Sequence, residues 1–551
     1  MKKLLFPFLI FFISFGLYSQ TLELQVSPLS EEFQKYLNSN SQNYGYIPSP
    51  VDVKVEVPKV SAPTVLPATF DLRTGGYVTS VKDQGTCGAC WAFTSLAAVE
   101  SRMIRKGAGT YDLSENNLNY GHGFEWAPCI GGNAYLSTAY FARLDGPISE
   151  ADDPYQGTGG SYHPGLTPQL YVSEWRILPD DQNTIKQMCY DYGAIYTNMF
   201  IDNAYYNAGN YTYYYSGVGD SSTNHAVTIA GWDDTKVTAG GTGAWLIKNS
   251  WGTSWGNSGY FWISYNDAKV NSDVSFWYDG WPYNSNIRVH GYDKLGWVGG
   301  LGYSSPYTQA NGLTKFVFSE NQYITKIGTY AQASNTQISV EIYDNFNGTT
   351  VSTLLGSIGT QTVTYPGFYT FNLSTPISVS NGSDVFVKIT YNTPSYYYPC
   401  PVEYYVSGYS NPTIETGKCW LSYDGTSGSW TALGGGTAYS YDNCAKLYAV
   451  TSLTDIDEQG NNIPNKFRLE QNYPNPFNPT TTINYSVPEN SMVKIKVYDV
   501  LGKEIETLVN SEHSVGNYSV EFDASNLTSG IYFYKLITEN YIETKKMILM
   551  K

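Results

Sequence analysis

The sequence predicts a mixed α+β unit over residues 67–280, an all-β sandwich over 285–450 and a smaller all-β unit at 467–551. Three observations carry this. At 551 residues the chain is too long for one hydrophobic core and suggests about three folded units. Residues 67–280 mix helical and strand patterns: "CWAFTSLAAVESRMIRKG" (90–107) keeps apolar residues at helical spacing and stops on Arg105, Lys106 and Gly107. From about residue 285 the texture changes to short runs such as "QISVEIYD" and "SDVFVKITYN", separated by Gly, Asn and Ser turns.

The chain opens with "MKKLLFPFLIFFISFGLYSQ", two lysines before an apolar run that ends in small and polar residues. This is the pattern of a secretory signal peptide over 1–20, and no later stretch approaches the ~20 apolar residues of a spanning helix. An exported chain without a transmembrane segment is expected. Its net charge of −16 and its lack of a basic cluster argue against nucleic acid as a partner. The 51 Tyr and 52 Gly suit extracellular β-domains with polar loops. Residues 21–66 read as a polar, proline-bearing lead with little periodicity.

Seven cysteines, at 87, 90, 129, 189, 400, 419 and 444, leave at least one unpaired in an oxidising compartment. Cys87 and Cys90 sit in "VKDQGTCGACWAFTS". Such a pair can be half a zinc site, a redox dithiol, or a structural cysteine beside a nucleophile. Zinc normally needs a second close pair, and none occurs. If Cys87 bonds Cys129 in "APCIGGNAY", Cys90 is left alone where a helix starts. A thiol there feels the positive end of the helix dipole and open N–H donors, which favour its thiolate.

A nearby imidazole would complete the activation. In "TNHAVTIAGWDDTKVTAGGTGAWLIKNSWG", residues 226–232 alternate as a strand, 233–242 read as a loop and 243–248 as the return strand. Pairing Trp232 with Thr242 would set His225 opposite Asn249, whose carboxamide can hold the ring's tautomer and orientation. A lone histidine or cysteine is more often structural; the ordered set Gln84, Cys90, His225, Asn249 and Trp251 makes coincidence a poor explanation.

"DQGTCGACWAF", "NHAVTIAGW" and "LIKNSWGTSWGNSGYFWI" resemble the signature blocks of papain-like cysteine peptidases, with "LSENNL" and "CIGGNA" similar to intervening segments. The resemblance spans about residues 67–265 and implies a helical lobe and a β lobe with the active site in the cleft between. It implies Cys90 as nucleophile, His225 as general base and acid, Asn249 as its orienting partner and Gln84 as an oxyanion donor with the Cys90 N–H. Trp251 would shield the His225–Asn249 bond. Cys87 and Cys129 would form a disulfide. Gly131 and Gly132 match the glycines that pair with an extended substrate, while Ala134 and Ile195 align with the main specificity pocket and imply an apolar preference there. No cofactor is implied for catalysis, and protein or peptide substrates are. The chain departs from most papain relatives in two ways: its lead is too short for their helical inhibitory prodomain, and Gly121 stands where a second-disulfide cysteine is common.

The layout of short lead, peptidase and sandwich resembles bacterial peptidases carrying a lectin-like domain. That resemblance casts 21–66 as a propeptide and makes calcium and cell-surface glycan candidate ligands of the sandwich. After a polar linker at 451–466, "NYPNPFNPTTTINYSVP" and "SGIYFYKLITENYIETKKMILMK" resemble the sorting domain of type IX secretion substrates. This implies that secretion machinery as a partner, passage through the periplasm, and release or attachment at the outer surface. The expected function is a secreted cysteine endopeptidase; the alternative is an inactive papain fold that binds glycan through its sandwich.

Overall fold

The computed structural model describes residues 23–38, 44–58, 66–219, 222–303, 305–394, 396–453, 467–472, 474–488, 491–513, 516–539 and 541–551. The signal segment and residues 454–466 of the expected linker lie outside them.

Helix α1 (Glu31–Leu37) lies in the lead, where the sequence shows little periodicity. Ser30 Oγ accepts from Phe33 N at 3.2 Å, Glu31 and Glu32 occupy the first turn, and Phe33 is buried. Before it, Gln25–Val26 pairs antiparallel with Leu301 and Gly302 of the sandwich. The lead is therefore a folded element docked on the later domains.

The helical lobe is built on α2 (Cys90–Lys106), α3 (Glu115–Gly121) and α4 (Ala134–Ala142). Gly107 ends α2 in the left-handed region at φ 75°, its N–H reaching back to Met103 and Ile104 carbonyls. Gly121 lies under the ring of Tyr162. The β lobe packs α5 (Gln182–Tyr192), with Cys189 buried, against strands Ile195–Met199, His225–Thr238, Gly241–Lys248 and Tyr260–Ser264. The expected loop at 233–242 is largely strand. Trp232 pairs with Trp245, and Thr242 with Val237, because the hairpin turns only at 238–241 and shifts register twice.

The lobe's sheet does not stop at the domain edge. Leu170–Leu178 pairs with Val274–Pro282 on one side and, through Arg176↔Gly367 and Trp175↔Phe368, with strand Gly367–Val379 of the sandwich. The peptidase and sandwich thus share one 13-stranded sheet. A second sandwich sheet, Val351–Val363 to Thr431–Leu433, encloses an aliphatic core in which Cys400 and Cys419 are buried. These two and Cys444 are free and buried, so none of the three is cross-linked. The C-terminal unit closes a separate core between a three-stranded and a four-stranded sheet. Ile483, Val493, Ile495, Val497 and Tyr534 lie inside it.

Gly367 is the tight point of the joint. It sits at φ 140°, and a Cβ there would lie 2.1 Å from the Trp175 carbonyl oxygen. Gly367→Ala is expected to lower stability by about 3 kcal/mol, from steric strain added to the left-handed penalty. Gly382→Ala, with positive φ but open space around it, should cost only about 1 kcal/mol. Urea unfolding of both variants checks this; equal losses would mean the joint is not strained.

Candidate active site

Cys90 is the first residue of α2, whose N-cap Ala89 offers no side chain to the open N–H groups. The Cys87–Cys129 disulfide ties the loop before it to the segment bearing Gly131 and Gly132, and Gly88 N donates to the Cys129 carbonyl at 3.0 Å. Across the cleft, strand His225–Thr238 begins beside the thiol: Ala226 N donates to Cys90 Sγ at 3.3 Å.

His225 Nε2 donates to Asn249 Oδ1 at 2.8 Å. Asn249 Oδ1 also accepts from Ser250 N at 2.9 Å, so two donors fix which way the carboxamide faces. The other ring nitrogen, Nδ1, is buried without a hydrogen-bond partner. The Trp251 ring lies 4.8 Å from the His225 ring and covers it. Strand register does not set His225 directly opposite Asn249, since Thr228 pairs with Lys248. Asn249 directly follows its strand, its N–H continuing the ladder to Gly259 O, and its side chain reaches the imidazole diagonally.

Gln84 donates from Nε2 to Cys87 O at 2.9 Å and to Tyr44 O at 3.2 Å. Its Oε1 accepts from Ser250 Oγ at 2.7 Å, which forces the amide donors toward the cleft. Ser250 is thus a positioning residue absent from the sequence reading, although it directly follows Asn249.

The lead runs through this cleft. Tyr44 N bonds Asn224 O, Gly132 N bonds Gly45 O at 3.1 Å, and Ile47 N bonds Gly132 O at 2.9 Å, giving a parallel bridge of Tyr46 with Gly132. The approach is close enough to require a glycine at 131, and the Trp91 ring requires one at 132. A Cβ on Gly131 would meet Ile47 Cγ1 at 2.8 Å, and one on Gly132 would meet the Trp91 ring at 2.5 Å. Ala134 is buried at the start of α4, in the cluster that holds Tyr46. Ile195 departs from its expected place: it lies in the β-lobe core with Cys189, because strand alternation turns its neighbour Tyr196 to the cleft cluster instead. Tyr46 Oη donates to Asp273 Oδ2 at 3.2 Å, so the pocket ends in a carboxyl group that burial raises to about 6. His122 is buried among Trp91, Phe124 and Trp126.

With the lead in place Cys90 and His225 are both 0% exposed. Burial pushes the thiol up to about 12, against three backbone N–H groups that lower it, and drives the imidazole down to about 4. Both shifts favour the neutral pair while the cleft is covered.

A helix-terminal thiol, an imidazole held by a carboxamide, and amide donors aimed at one cleft define a two-lobed cysteine protease. The papain family cysteine protease model matches residues 66–277, a lectin like domain model 289–449, and a secretion system C-terminal sorting domain model 471–550. Cathepsin K of Gallus gallus is 35% identical over 214 residues, 36% of this chain and 59% of its own length. A cysteine protease of Blomia tropicalis is 30% identical over 272 residues, 46% of this chain and 77% of its own. The chain belongs to the papain family of cysteine proteases. The solved cysteine protease and lectin-like domains of Cwp84, a surface layer associated protein of Clostridium difficile, share the fold at TM-score 0.67 and 21% identity, covering 78% of this chain and 98% of that one.

The five free cysteines are all buried. The intact chain is therefore expected to resist iodoacetamide at pH 7, and displacement of residues 23–58 should expose Cys90 to labelling at least about tenfold faster. Mass mapping of the alkylated peptide measures this; rapid Cys90 labelling in the intact chain would contradict the closed cleft.

Proposed function

We propose that this chain is a secreted cysteine endopeptidase made as a latent precursor. The observation that carries the reading is the His225–Asn249 bond beside the Cys90 thiol, with Gln84 turned into the same cleft.

In the open cleft, the Cys90 thiolate would attack the scissile carbonyl carbon while its proton resides on His225. The carbonyl oxygen becomes an oxyanion, met by the Gln84 side-chain amide and the Cys90 backbone N–H. His225 then protonates the leaving amine, the C–N bond breaks, and Cys90 keeps the acyl group. Water, losing a proton to His225, attacks the thioester; its collapse releases the acid and restores the thiol. Asn249 holds the ring throughout, under Trp251.

This chemistry sets the substrate's direction. The leaving amine must lie by His225 and Trp251, so the acyl side runs along Gly131–Gly132. The lead runs the other way: Tyr44 packs 5.9 Å from Trp251, and Tyr46 pairs with Gly132. Its Tyr44 carbonyl takes the Gln84 donor, yet its polarity keeps a peptide bond from being presented for cleavage. Occupied donors and a reversed chain together make the lead an inhibitor rather than a substrate. Residues 21–66 thus act as a propeptide, with peptidase residues 67–280 following.

The pocket at Tyr46 also refines the expected apolar preference. A residue that combines an apolar body with a donor at its tip, such as tyrosine, fits the Asp273 end better than leucine does. The sorting-domain family points to export. We take type IX machinery as the route, through the periplasm to the outer surface, and surface glycan as the partner of the sandwich. Among the described residues no His, Cys, Asp or Glu trio could hold a metal, and no calcium site is assigned.

Cys90→Ala and His225→Ala are expected to lower peptide hydrolysis by about a million-fold while the fold survives, and Asn249→Ala by much less. Kinetics on processed, folded variants check this; near-normal turnover by Cys90→Ala would refute the mechanism. Failure of a thiol-reactive epoxide to label Cys90 in processed chain would favour the glycan-binding alternative. Deleting residues 23–58 from a refolded chain should raise initial activity without a cleavage step, and an unchanged rate would reject the inhibitory role of the lead.

A further inference from the structure

We propose that the sandwich supplies part of the peptidase's substrate groove: Tyr409, with Phe124 and Trp126, forms an aromatic subsite for an apolar side chain on the amino side of the scissile bond. This rests on the peptidase reading above and adds a residue from outside the peptidase domain to it.

Tyr409 is 0% exposed, yet it packs in the cluster that contains Cys90 and Tyr46, not in the sandwich's own core. Its loop is held shut by reciprocal backbone bonds between Val406 and Ser410 and is fastened to the helical lobe at two points. Gly408 N donates to Glu125 Oε2 at 2.7 Å, and Glu125 N donates to Tyr409 O at 3.1 Å. Tyr409 reaches the lead in the cleft through Asn133, whose Nδ2 donates to Tyr409 Oη at 3.0 Å and to Ile47 O at 2.9 Å. One carboxamide thus holds both the sandwich tyrosine and the chain lying in the cleft. Trp126 is set from the glycine segment, its Nε1 donating to Gly131 O at 2.7 Å.

The rings of Phe124 and Trp126 each lie 5.2 Å from that of Tyr409. The remaining side of Tyr409 is taken by Phe33 of the lead, edge-on at 5.4 Å and 0% exposed. The occupant is therefore visible: an aromatic side chain already fills the site in the latent form. When the lead leaves, Phe33 and Ile47 leave together, and three aromatic rings face the groove just beyond the position that pairs with Gly132. A bound substrate's third or fourth residue before the scissile bond falls there, and an aromatic side chain in it regains the edge-to-face contacts that Phe33 made.

The test uses the full chain processed until the lead is cut and removed. Two peptide pairs carry Phe or Gly at the third or the fourth position before the scissile bond. Wild type is expected to favour Phe by roughly tenfold in kcat/KM at one of these positions. Tyr409→Phe should keep that ratio, and Tyr409→Ala should bring it close to one. A parallel fall of both peptides in Tyr409→Ala would show that Tyr409 merely supports Asn133, and a ratio unchanged in Tyr409→Ala would likewise overturn the subsite. A second measurement does not need turnover: a synthetic peptide of residues 27–50 titrated into processed Cys90→Ala chain. Phe33→Ala in the peptide should weaken binding about tenfold to the Tyr409 protein and little to Tyr409→Ala. Equal weakening in both proteins would overturn the proposal, whereas loss of all cleavage with this coupling intact would count against the peptidase reading alone.

Discussion

The pairing of the lead's backbone with Gly132 is the constraint on which the rest of the cleft depends. It brings a chain so close to Gly131 that this residue cannot carry a side chain, while Trp91 excludes one at Gly132 from the other direction. It also excludes water from Cys90 and His225, and that exclusion makes the charged forms of both costly. The proposed latency would have two physical parts. One is geometric, a carbonyl and a chain direction that fill the donors without offering a scissile bond. The other is electrostatic, a dry cleft in which the thiolate and imidazolium are disfavoured until solvent and substrate replace the lead.

Much of this is legible in the sequence where chemistry demands particular residue types. Motif order marks Cys90, His225, Asn249 and Gln84, and the structure brings their side chains to one cleft. His225 and Asn249 meet, but by a different strand pairing from the one expected. The hairpin turns at 238–241 and bulges near Gly231, so the pairing expected for Trp232 does not occur; Asn249 reaches the imidazole diagonally from the end of its strand. Ile195 shows the other limit. A one-residue step along a strand exchanges core for cleft, and motif alignment away from the signature blocks does not resolve such a step.

The features that stay hidden are those made by distant segments. Ser30 followed by Glu31 and Glu32 is a readable helix start, but a seven-residue helix has little stability of its own and gains it by burying Phe33 against Tyr409 and Phe124. Tyr409 itself is one of 51 tyrosines, and nothing local separates it from the rest. The joint at Gly367 is equally silent in sequence, because two β-rich stretches read as two sheets whether or not their edges meet. That joint nevertheless fixes where Tyr409 stands relative to Gly132, by making the sandwich a continuation of the β lobe.

The lead is fastened to the sandwich at both ends: Gln25–Val26 on one strand edge, and Lys54 and Glu56 at Ala333 and Ser334. A cut between residues 58 and 66 would break none of the contacts that residues 44–47 make in the cleft. What it changes is molecularity. Before the cut the lead faces its site at an effective concentration set by its own tether, and dilution cannot dislodge it. Afterwards it is a separate ligand whose occupancy falls as the protein disperses. Activation of this chain would then be governed by where the protein travels after processing as much as by the processing itself, with crowded export routes keeping it closed and open surroundings letting it go.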